Sequence, residues 1–290
     1  MNRTLVGILC GLAAAAIWGG MYVVSKVVLE IIPPFALVSI RLLLGALTLL
    51  LVLLVRGAPN IPRKQVLQVL AVGFVGYGIS LSLQFLGTKM STAANGSLVT
   101  SATPAFVLIF AWLLLQERVT PLRLTSLVLA TLGVIAVIDP RSAQLNPELF
   151  LGNLALIGAA VTWALYSVLV RKATRNLDVL PFSLIAFIGG LPVTLPAGAW
   201  EVRTLGVGEI SLGVIGGILF LGVISTALAM VLWNTAFAMV DASLASLTFF
   251  AQPVVGTLLG WWFLGEQITP LFLLGGFLIG LGLIIASREP

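Results

Sequence analysis

One stretch of this chain occurs twice, and it constrains the fold more than any other feature. Residues 97–121, SLVTSATPAFVLIFAWLLLQERVTP, return as residues 246–270, SLTFFAQPVVGTLLGWWFLGEQITP. The offset is constant at 149, since 253 − 104 and 270 − 121 give the same value. In both copies a proline, Pro104 or Pro253, interrupts a long apolar run that closes on Glu-x-x-Thr-Pro. The chain is therefore an internal duplication.

Composition assigns the duplicated chain to a membrane. Of its 290 residues 60% are hydrophobic and only 9% are charged, whereas a soluble domain carries about 25% charged residues. A formal net charge of +5 does not indicate a nucleic-acid partner, because the bases lie in short loops between apolar runs. The single cysteine, Cys10, has no second cysteine in the chain for a disulfide.

The apolar runs predict an all-α integral membrane protein with ten transmembrane helices. Only helices and closed barrels satisfy their backbone polar groups in lipid, and unbroken runs of this length are helical. The predicted segments are 4–28, 34–55, 66–87, 93–115, 122–138, 150–170, 180–200, 211–235, 242–264 and 270–287. With the N-terminus inside, most lysines and arginines fall in cytoplasmic loops, which predicts an N-in and C-in topology.

Five helices per half is an odd number, so the second half must enter the membrane from the opposite side. We therefore predict two inverted five-helix repeats, residues 1–140 and 148–290, with a substrate site near the midplane between them. Their first helices also match, since Trp18 aligns with Trp163 at an offset of 145 (163 − 18).

The two interrupting prolines are the first site candidates. A proline inside a helix removes one N–H donor and frees the carbonyl four residues earlier, here those of Thr100 and Phe249. Pro104 and Pro253 are predicted to be hinges beside the substrate, with these carbonyls free to accept hydrogen bonds. The alternative is a pair of packing kinks.

Aromatic and polar side chains inside the predicted helices are the second group. Trp18, Tyr22 and Lys26 share one face of the first helix, and Trp163 and Tyr166 lie on the matching helix of the other half. Further candidates carry a polar group that needs a partner away from water: Tyr77, Asn95, Ser101, Trp233 and Gln252. We predict that these residues line a cavity. The alternative is helix packing with locally satisfied hydroxyls.

Two charged residues, Lys26 and Arg41, lie within predicted helices. Each is a candidate functional residue, because a charge inside a membrane segment is costly and usually has a function. Lys26 is predicted to meet a substrate carboxylate at the mouth of the cavity. Both residues are close enough to the outer helix ends to snorkel, and Arg41 has Glu30 as a candidate ion-pair partner.

The sequence lacks residues that ATP-driven proteins, proton-coupled pumps and intramembrane proteases need. The chain has no histidine, no carboxylate in the middle of a predicted segment and no phosphate-binding glycine loop. These features argue against ATP hydrolysis, an evident proton relay and intramembrane proteases of the Ser–His or paired-aspartate type. We expect no enzyme activity, no cofactor and no metal, and a simple scaffold would not need two inverted copies of a polar, interrupted helix.

The pattern resembles the drug/metabolite transporter superfamily, EamA branch. The resemblance lies in the paired Trp18 and Trp163, in Pro33-Pro34 followed by Arg41, and in the two runs that pass through a proline to Glu117 or Glu266. Gln116 departs from the repeat, which has Gly265 at the matching position of the second half.

The resemblance implies export by alternating access through a cavity built by helices 1, 3, 4, 6, 8 and 9. Within the family the chain is similar to bacterial exporters of amino acids, aromatic ones included, and of related metabolites. We therefore expect a multi-pass protein of the bacterial inner membrane that exports amino acids. Another metabolite or a drug-like cation is the alternative substrate. The expected partners are the solute and membrane lipid, and the expected assembly is a monomer or a weak homodimer.

Overall fold

The fold is described from a computed structural model that covers residues 3–57, 61–91, 99–100, 102–138, 147–264 and 270–288. Within these ranges the side chains of a few residues, Tyr22 and Lys26 among them, are not described. The regular structure of the described ranges is helical throughout and includes no strand, so the all-α prediction is confirmed.

The helices follow the predicted apolar segments closely. In chain order they are α1 (Arg3–Leu29), α2 (Pro34–Arg56), α3 (Arg63–Met90), α4 (Thr103–Leu115), α5 (Pro121–Ile138), α6 (Phe150–Ala173), α7 (Val179–Leu205), α8 (Leu212–Met239), α9 (the pieces Ala242–Leu247, Thr248–Phe250 and Ala251–Leu264) and α10 (Pro270–Ser287). Prolines at the first position start α2, α5 and α10, where their missing N–H costs no hydrogen bond. Thr120 caps α5 by accepting the Arg123 N–H at 3.2 Å.

Six of these helices, α1 to α3 and α6 to α8, contain stretches long and apolar enough to cross a membrane. The described parts of α4, α5, α9 and α10 give shorter apolar helices. Large apolar side chains face outward, including Val55 at 89% exposure and Leu212 at 87%, as expected of a surface covered by lipid. A multi-pass membrane protein follows, while the ten-span count and the N-in, C-in orientation stay predictions.

The helices of one half make the same main contacts as the equivalent helices of the other half. α1 packs on α8 and α9, and α6, its counterpart, packs on α3 and α4. α2 packs on α7, and α5 packs on α10, so each of these pairs joins equivalent helices. This exchange is the arrangement expected of two repeats related by a pseudo-two-fold axis.

Both α3 and α8 contain a π-helical section, at Phe74–Ser80 and Phe220–Leu228. The second section includes a bond over five residues, from the Thr226 hydroxyl to the Leu221 carbonyl at 2.7 Å. Tyr77 and Thr226 are equivalent in the repeat, since 226 − 77 is again 149. π-helical turns widen a helix locally and are frequent at functional sites.

Candidate functional site

The two matched tryptophans meet at the centre of the molecule. The rings of Trp18 on α1 and Trp163 on α6 contact edge to face, with centroids 6.0 Å apart. Trp18 donates its indole N–H to the Ser225 carbonyl at 3.0 Å. Among the described residues, the buried indole N–H of Trp163 has no hydrogen-bond partner. The repeats therefore contact each other through equivalent aromatic residues, one of which retains an unused donor.

A cavity with an empty volume of about 530 Å³ opens beside this contact. The described residues that line it come from both halves and are mostly apolar or aromatic: Trp18, Met21, Arg41, Ser80, Leu81, Gln84, Phe85, Thr100, Thr103, Ala159, Ala160, Trp163, Met230, Phe249 and Gln252. Of the predicted site residues, this set includes Trp18, Trp163, Phe249 and Gln252. Pockets that bind small molecules have this mixture of apolar walls and a few polar groups.

Other predicted site residues form a closed layer behind the cavity. The Tyr77 and Tyr166 hydroxyls are 2.5 Å apart, and Tyr166 donates to Asn234 at 2.9 Å. Asn234 in turn donates to the Ser183 hydroxyl at 2.9 Å. The side chains of Tyr77, Tyr166 and Trp233 are fully buried and are not among the described lining residues.

Trp233 belongs to the same layer. Its indole N–H donates to the Ser167 hydroxyl at 3.2 Å, and its ring lies 5.3 Å from that of Trp18. Tyr77, Tyr166 and Trp233 thus each have a side-chain hydrogen-bond partner among their buried neighbours. The layer fixes the position of Trp18 and Trp163 from behind.

Arg41 is the charged group of the cavity wall. Its side chain is 3% exposed, which differs from the snorkelling position that the sequence suggested. Its Nε donates to the Thr226 hydroxyl at 3.1 Å, and Nη2 lies 3.2 Å from the Met21 sulfur and 3.4 Å from the Ser225 hydroxyl. The guanidinium carbon lies 5.8 Å from the centroid of the Phe85 ring.

Pro104 and Pro253 do not kink a continuous helix, because each lies in the first turn of a new helical piece. α4 begins at Thr103, so that Pro104 lies in its first turn, and the Thr103 hydroxyl donates to the Thr100 carbonyl at 2.7 Å. Pro253 likewise lies in the first turn of the last piece of α9, directly after the 3₁₀ turn Thr248–Phe250. Each interruption borders the cavity through Thr100 or Phe249.

The remaining predicted site residues are outside the description. Asn95 and Ser101 fall outside the described residues, and the side chains of Tyr22 and Lys26 are not described. Their place in the cavity stays a prediction. Within the described residues, no cluster of three or more histidine, cysteine, aspartate or glutamate side chains is arranged to hold a metal ion.

An ionic cluster closes the end of the molecule where α4 meets the start of α9. Gln116 ends α4 with a left-handed φ of 58°, and the next residue, Glu117, accepts the Ala242 N–H at 2.8 Å and the Ser243 hydroxyl at 2.7 Å. Arg123 then bridges Glu117 at 3.4 Å and Asp241 at 2.6 Å. Asp241 also pairs with Arg171 of α6 at 3.3 Å.

This cluster joins both repeats at what the sequence predicts to be the cytoplasmic end. The sequence did not predict this role of Glu117, because a partner 125 residues away leaves no local signal. At the opposite end Glu201 of α7 accepts the N–H groups of Phe35 and Ala36, at 2.7 and 3.2 Å, and so caps α2.

A second pocket lies at the end marked by Glu30 and Lys89, with an empty volume of about 850 Å³. It is formed by the α1–α2 connection, the last turn of α3 and the residues after α7. Phe85 lines both this pocket and the central cavity. A single aromatic side chain therefore borders the cavity and the vestibule beyond it.

Comparison with known proteins agrees with this architecture. A solved crystal structure has the same fold, with a TM-score of 0.82 at 22% sequence identity over 97% of this chain and 96% of that one. An uncharacterized transporter of Archaeoglobus fulgidus (strain ATCC 49558 / DSM 4304 / JCM 9628 / NBRC 100126 / VC-16) is 29% identical over 272 residues, which are 94% of this chain and 95% of that relative.

Two relatives come from Bacillus subtilis (strain 168). The uncharacterized transporter YoaV is 24% identical over 286 residues, 98% of this chain and 97% of YoaV. The uncharacterized transporter YetK is 28% identical over 196 residues, which span 66% of this chain and 59% of YetK. These relatives indicate transport and name no substrate.

The family itself is shown by a match to both halves of the sequence. The model of the EamA-like transporter family matches residues 5–138 and again residues 150–288. The matches include both central tryptophans and the cavity-lining sections of α1, α3, α6 and α8. The chain belongs to the EamA-like transporter family of the drug/metabolite transporter superfamily.

Proposed function

We propose that this chain is a secondary transporter that exports amino acids, aromatic and other apolar ones included, across the bacterial inner membrane by alternating access. The observation that carries the proposal is the cavity between the two repeats. Its walls offer aromatic rings for an apolar side chain and a few hydrogen-bonding groups for a polar head. A related metabolite is the alternative substrate, as is a drug-like cation, which the same aromatic rings can bind through cation–π contacts.

In this proposal the solute contacts Trp18, Trp163, Phe249 and Gln252 directly. The indole N–H of Trp163, which has no partner among the described residues, and the amide of Gln252 provide hydrogen bonds. Tyr77, Tyr166 and Trp233 position the rings in front of them. Tyr22, Lys26, Asn95 and Ser101 stay predicted contributors to the same site.

Transport requires that the cavity open to one side of the membrane at a time. We propose that the two repeats rock about the central contact, with the interruptions before Pro104 and Pro253 as hinges. The ionic cluster would open for entry at the predicted cytoplasmic end, and Phe85 would move for release into the vestibule. No carboxylate is among the described cavity residues, which favours a facilitator or exchanger over a proton-driven pump.

The test is uptake of labelled amino acids of each class into proteoliposomes of the purified protein, with and without an imposed pH gradient. Saturable uptake that several amino acids compete for is expected. Trp163→Ala and Gln252→Ala should each lower the initial rate roughly tenfold, because each removes a contact worth about 1–2 kcal/mol. Trp200→Ala is the matched control, since Trp200 is 68% exposed.

Different outcomes of this test contradict different parts of the proposal: the binding site, the absence of proton coupling or the substrate class. Normal uptake by folded Trp163→Ala and Gln252→Ala would show that the solute does not use this cavity. Uptake that follows the pH gradient would contradict a facilitator. Absence of flux for every amino acid in a folded protein would exclude amino acids as substrates and direct the panel to cations and neutral metabolites.

A further inference from the structure

We propose that an anionic phospholipid binds in a surface groove between α3 and α6, with its phosphate at Lys172 and Arg175. The groove has an empty volume of about 1200 Å³ and lies where the first turns of α3 meet the last turns of α6 and the connection to α7. Its described lining residues are Gln65, Gln68, Val69, Ala71, Val72, Leu169, Lys172, Ala173, Arg175, Asn176 and Leu177. The proposal does not depend on which solute the central cavity carries.

Polarity changes along the groove in the same direction on both helices. On α3 the lining residues begin with Gln65 and end with Val72. α6 ends beside the start of α3, so Arg175 and Lys172 lie at the polar end and Leu169 lies further along the groove. From residue 65 to residue 72 a helix rises about 10 Å, which is the length over which the groove passes from polar to apolar. A molecule with a charged head and acyl chains has the matching pattern.

The apolar part of the groove is open to the lipid. Leu67 and Phe74 are exposed, and they lie four residues before and three residues after Ala71, on the same helix face. Exposed apolar side chains on a membrane helix contact acyl chains, so a lipid can enter the groove from the side. The polar part lies at the predicted cytoplasmic end of both helices, where the head groups of the inner leaflet are.

Charge favours an anionic occupant. Lys172 and Arg175 are exposed, and neither makes an ion pair within the described part of the chain. The described lining residues include no carboxylate, and Asp178, the next acidic residue of the chain, is not one of them. The polar end therefore carries two positive charges that have no described counter-ion.

The side chains at the polar end suit a phosphate. An arginine binds a phosphate through two parallel N–H bonds, and a lysine adds a point charge. The amides of Gln65, Gln68 and Asn176 provide uncharged N–H donors at the same end. Basic pockets between membrane helices on the cytoplasmic side bind lipid head groups with such residues. A zwitterionic lipid already pairs its phosphate with its own ammonium group, so it gains less from Lys172 and Arg175.

The groove also joins the two repeats. α3 belongs to the first half and α6 to the second, and Lys172 directly follows Arg171 of the ionic cluster. A lipid in the groove contacts both halves at the end that holds this cluster. It therefore stabilises the present packing of the repeats by mass action.

Native mass spectrometry of the purified protein in detergent measures the binding. The probes are dioleoyl phosphatidylglycerol, dioleoyl phosphatidylcholine and glycerol 1-phosphate, so that head-group charge and acyl chains are varied separately. The wild-type protein is expected to bind phosphatidylglycerol roughly tenfold or more tightly than phosphatidylcholine. Glycerol 1-phosphate lacks the acyl chains and should not displace phosphatidylglycerol when both are present at the same concentration.

Two variants test the two ends of the groove. The double variant Lys172→Gln, Arg175→Gln should weaken phosphatidylglycerol roughly tenfold or more and leave phosphatidylcholine within about twofold. Ala71→Trp fills the apolar part and should weaken both lipids. The controls make the same changes in charge or volume outside the groove: Arg56→Gln with Arg118→Gln, exposed at the same predicted face, and Ala199→Trp, exposed on α7.

Four results would overturn the proposal. They are equal affinity of the wild-type protein for the two lipids, equal loss of phosphatidylglycerol in the groove pair and the control pair, displacement of the lipid by glycerol 1-phosphate, and undiminished lipid binding by Ala71→Trp. The second would assign the preference to the overall surface charge, and the third would assign the site to a soluble phosphate compound. Lys172, Arg175 and Ala71 are all exposed, so the variants are expected to fold, and circular dichroism checks that they do.

Discussion

The buried polar residues behind the cavity stabilise one another, and Asn234 connects them. Its side chain accepts from Tyr166 and donates to Ser183, and it is fully buried. Asn234→Ala is expected to lower the free energy of unfolding by about 1–3 kcal/mol, because it leaves a buried phenol and a buried hydroxyl with fewer partners. Thermal unfolding in detergent measures the effect.

The adjacent residue supplies the control for this prediction. Thr235 lies on the same helix, and the described partner of its hydroxyl is the Val231 carbonyl of its own helix. Thr235→Ala should therefore change the midpoint far less than Asn234→Ala. Equal midpoints for the two variants would mean that the network contributes little to stability.

The sequence predicted which residues lie in the centre of the molecule. It did not predict which of them line the cavity and which are buried behind its wall. Trp18 and Trp163 were identifiable because the repeat aligns them, whereas Tyr77 and Tyr166 carry the same polar signal and turn out to lie behind the wall. Arg41 could not be placed, since helix position alone does not distinguish snorkelling from burial. Its position depends on Thr226, which is 185 residues away in the chain.

Between elements, α1 approaches α9 closely beside the cavity because residue 19 is a glycine. A Cβ added at Gly19 would lie 2.8 Å from the Gln252 carbonyl oxygen and 3.0 Å from the Gly256 nitrogen, both backbone atoms. Gly19→Ala is therefore expected to separate the helices, lowering both the thermal midpoint and the transport rate. Gly20→Ala is the control, because its Cβ would meet the flexible end of Leu259 at 3.3 Å.

Transport assays and thermal unfolding on the two variants decide this point. The expected result is a loss of several degrees in the midpoint for Gly19→Ala and near wild-type behaviour for Gly20→Ala. If Gly19→Ala is as stable and as active as Gly20→Ala, the helix crossing tolerates a methyl group and does not set the shape of the cavity.

Helix boundaries were predictable to within a few residues where an apolar run ends at charges or at proline. The π-helical sections were not predictable from the sequence, because FVGYGIS and FLGVISTAL are as apolar as the sequence of an ordinary membrane helix. In the second section the Thr226 hydroxyl also donates to the Leu221 carbonyl, a bond that the apolar pattern does not predict. The predicted kinks at Pro104 and Pro253 are new helix starts for a similar reason, since nearby side chains and turns replace the missing bonds.

For the whole molecule, the ionic cluster around Glu117 and Asp241 is the feature that ties the halves together at one end. It is built from α4, α5, α6 and the start of α9, so any opening at this end must break it. At the opposite end, Phe85 lies between the cavity and the vestibule. The ionic cluster is thus the polar contact between the two halves at the predicted cytoplasmic end.

Weakening the cluster is therefore expected to favour opening at that end. Glu117→Gln removes the negative charge that Arg123 and the two N–H groups of α9 contact. The loss of bonds worth about 1.5–3 kcal/mol would raise the open population roughly tenfold or more. A cysteine at Met230, in the cavity wall and 3% exposed, reports the opening in a Cys10→Ser background.

A membrane-impermeant thiol reagent is added to vesicles from the face that carries the cluster, and the labelling rate of Met230→Cys is measured. Glu117→Gln should increase this rate, whereas Glu148→Gln, the exposed control, should not. Added substrate should slow the labelling, because a solute in the cavity covers position 230. An unchanged labelling rate in Glu117→Gln would show that Glu117 caps a helix but does not keep the cavity closed at this end. Faster labelling only from the opposite face would reverse the assignment of the closed end.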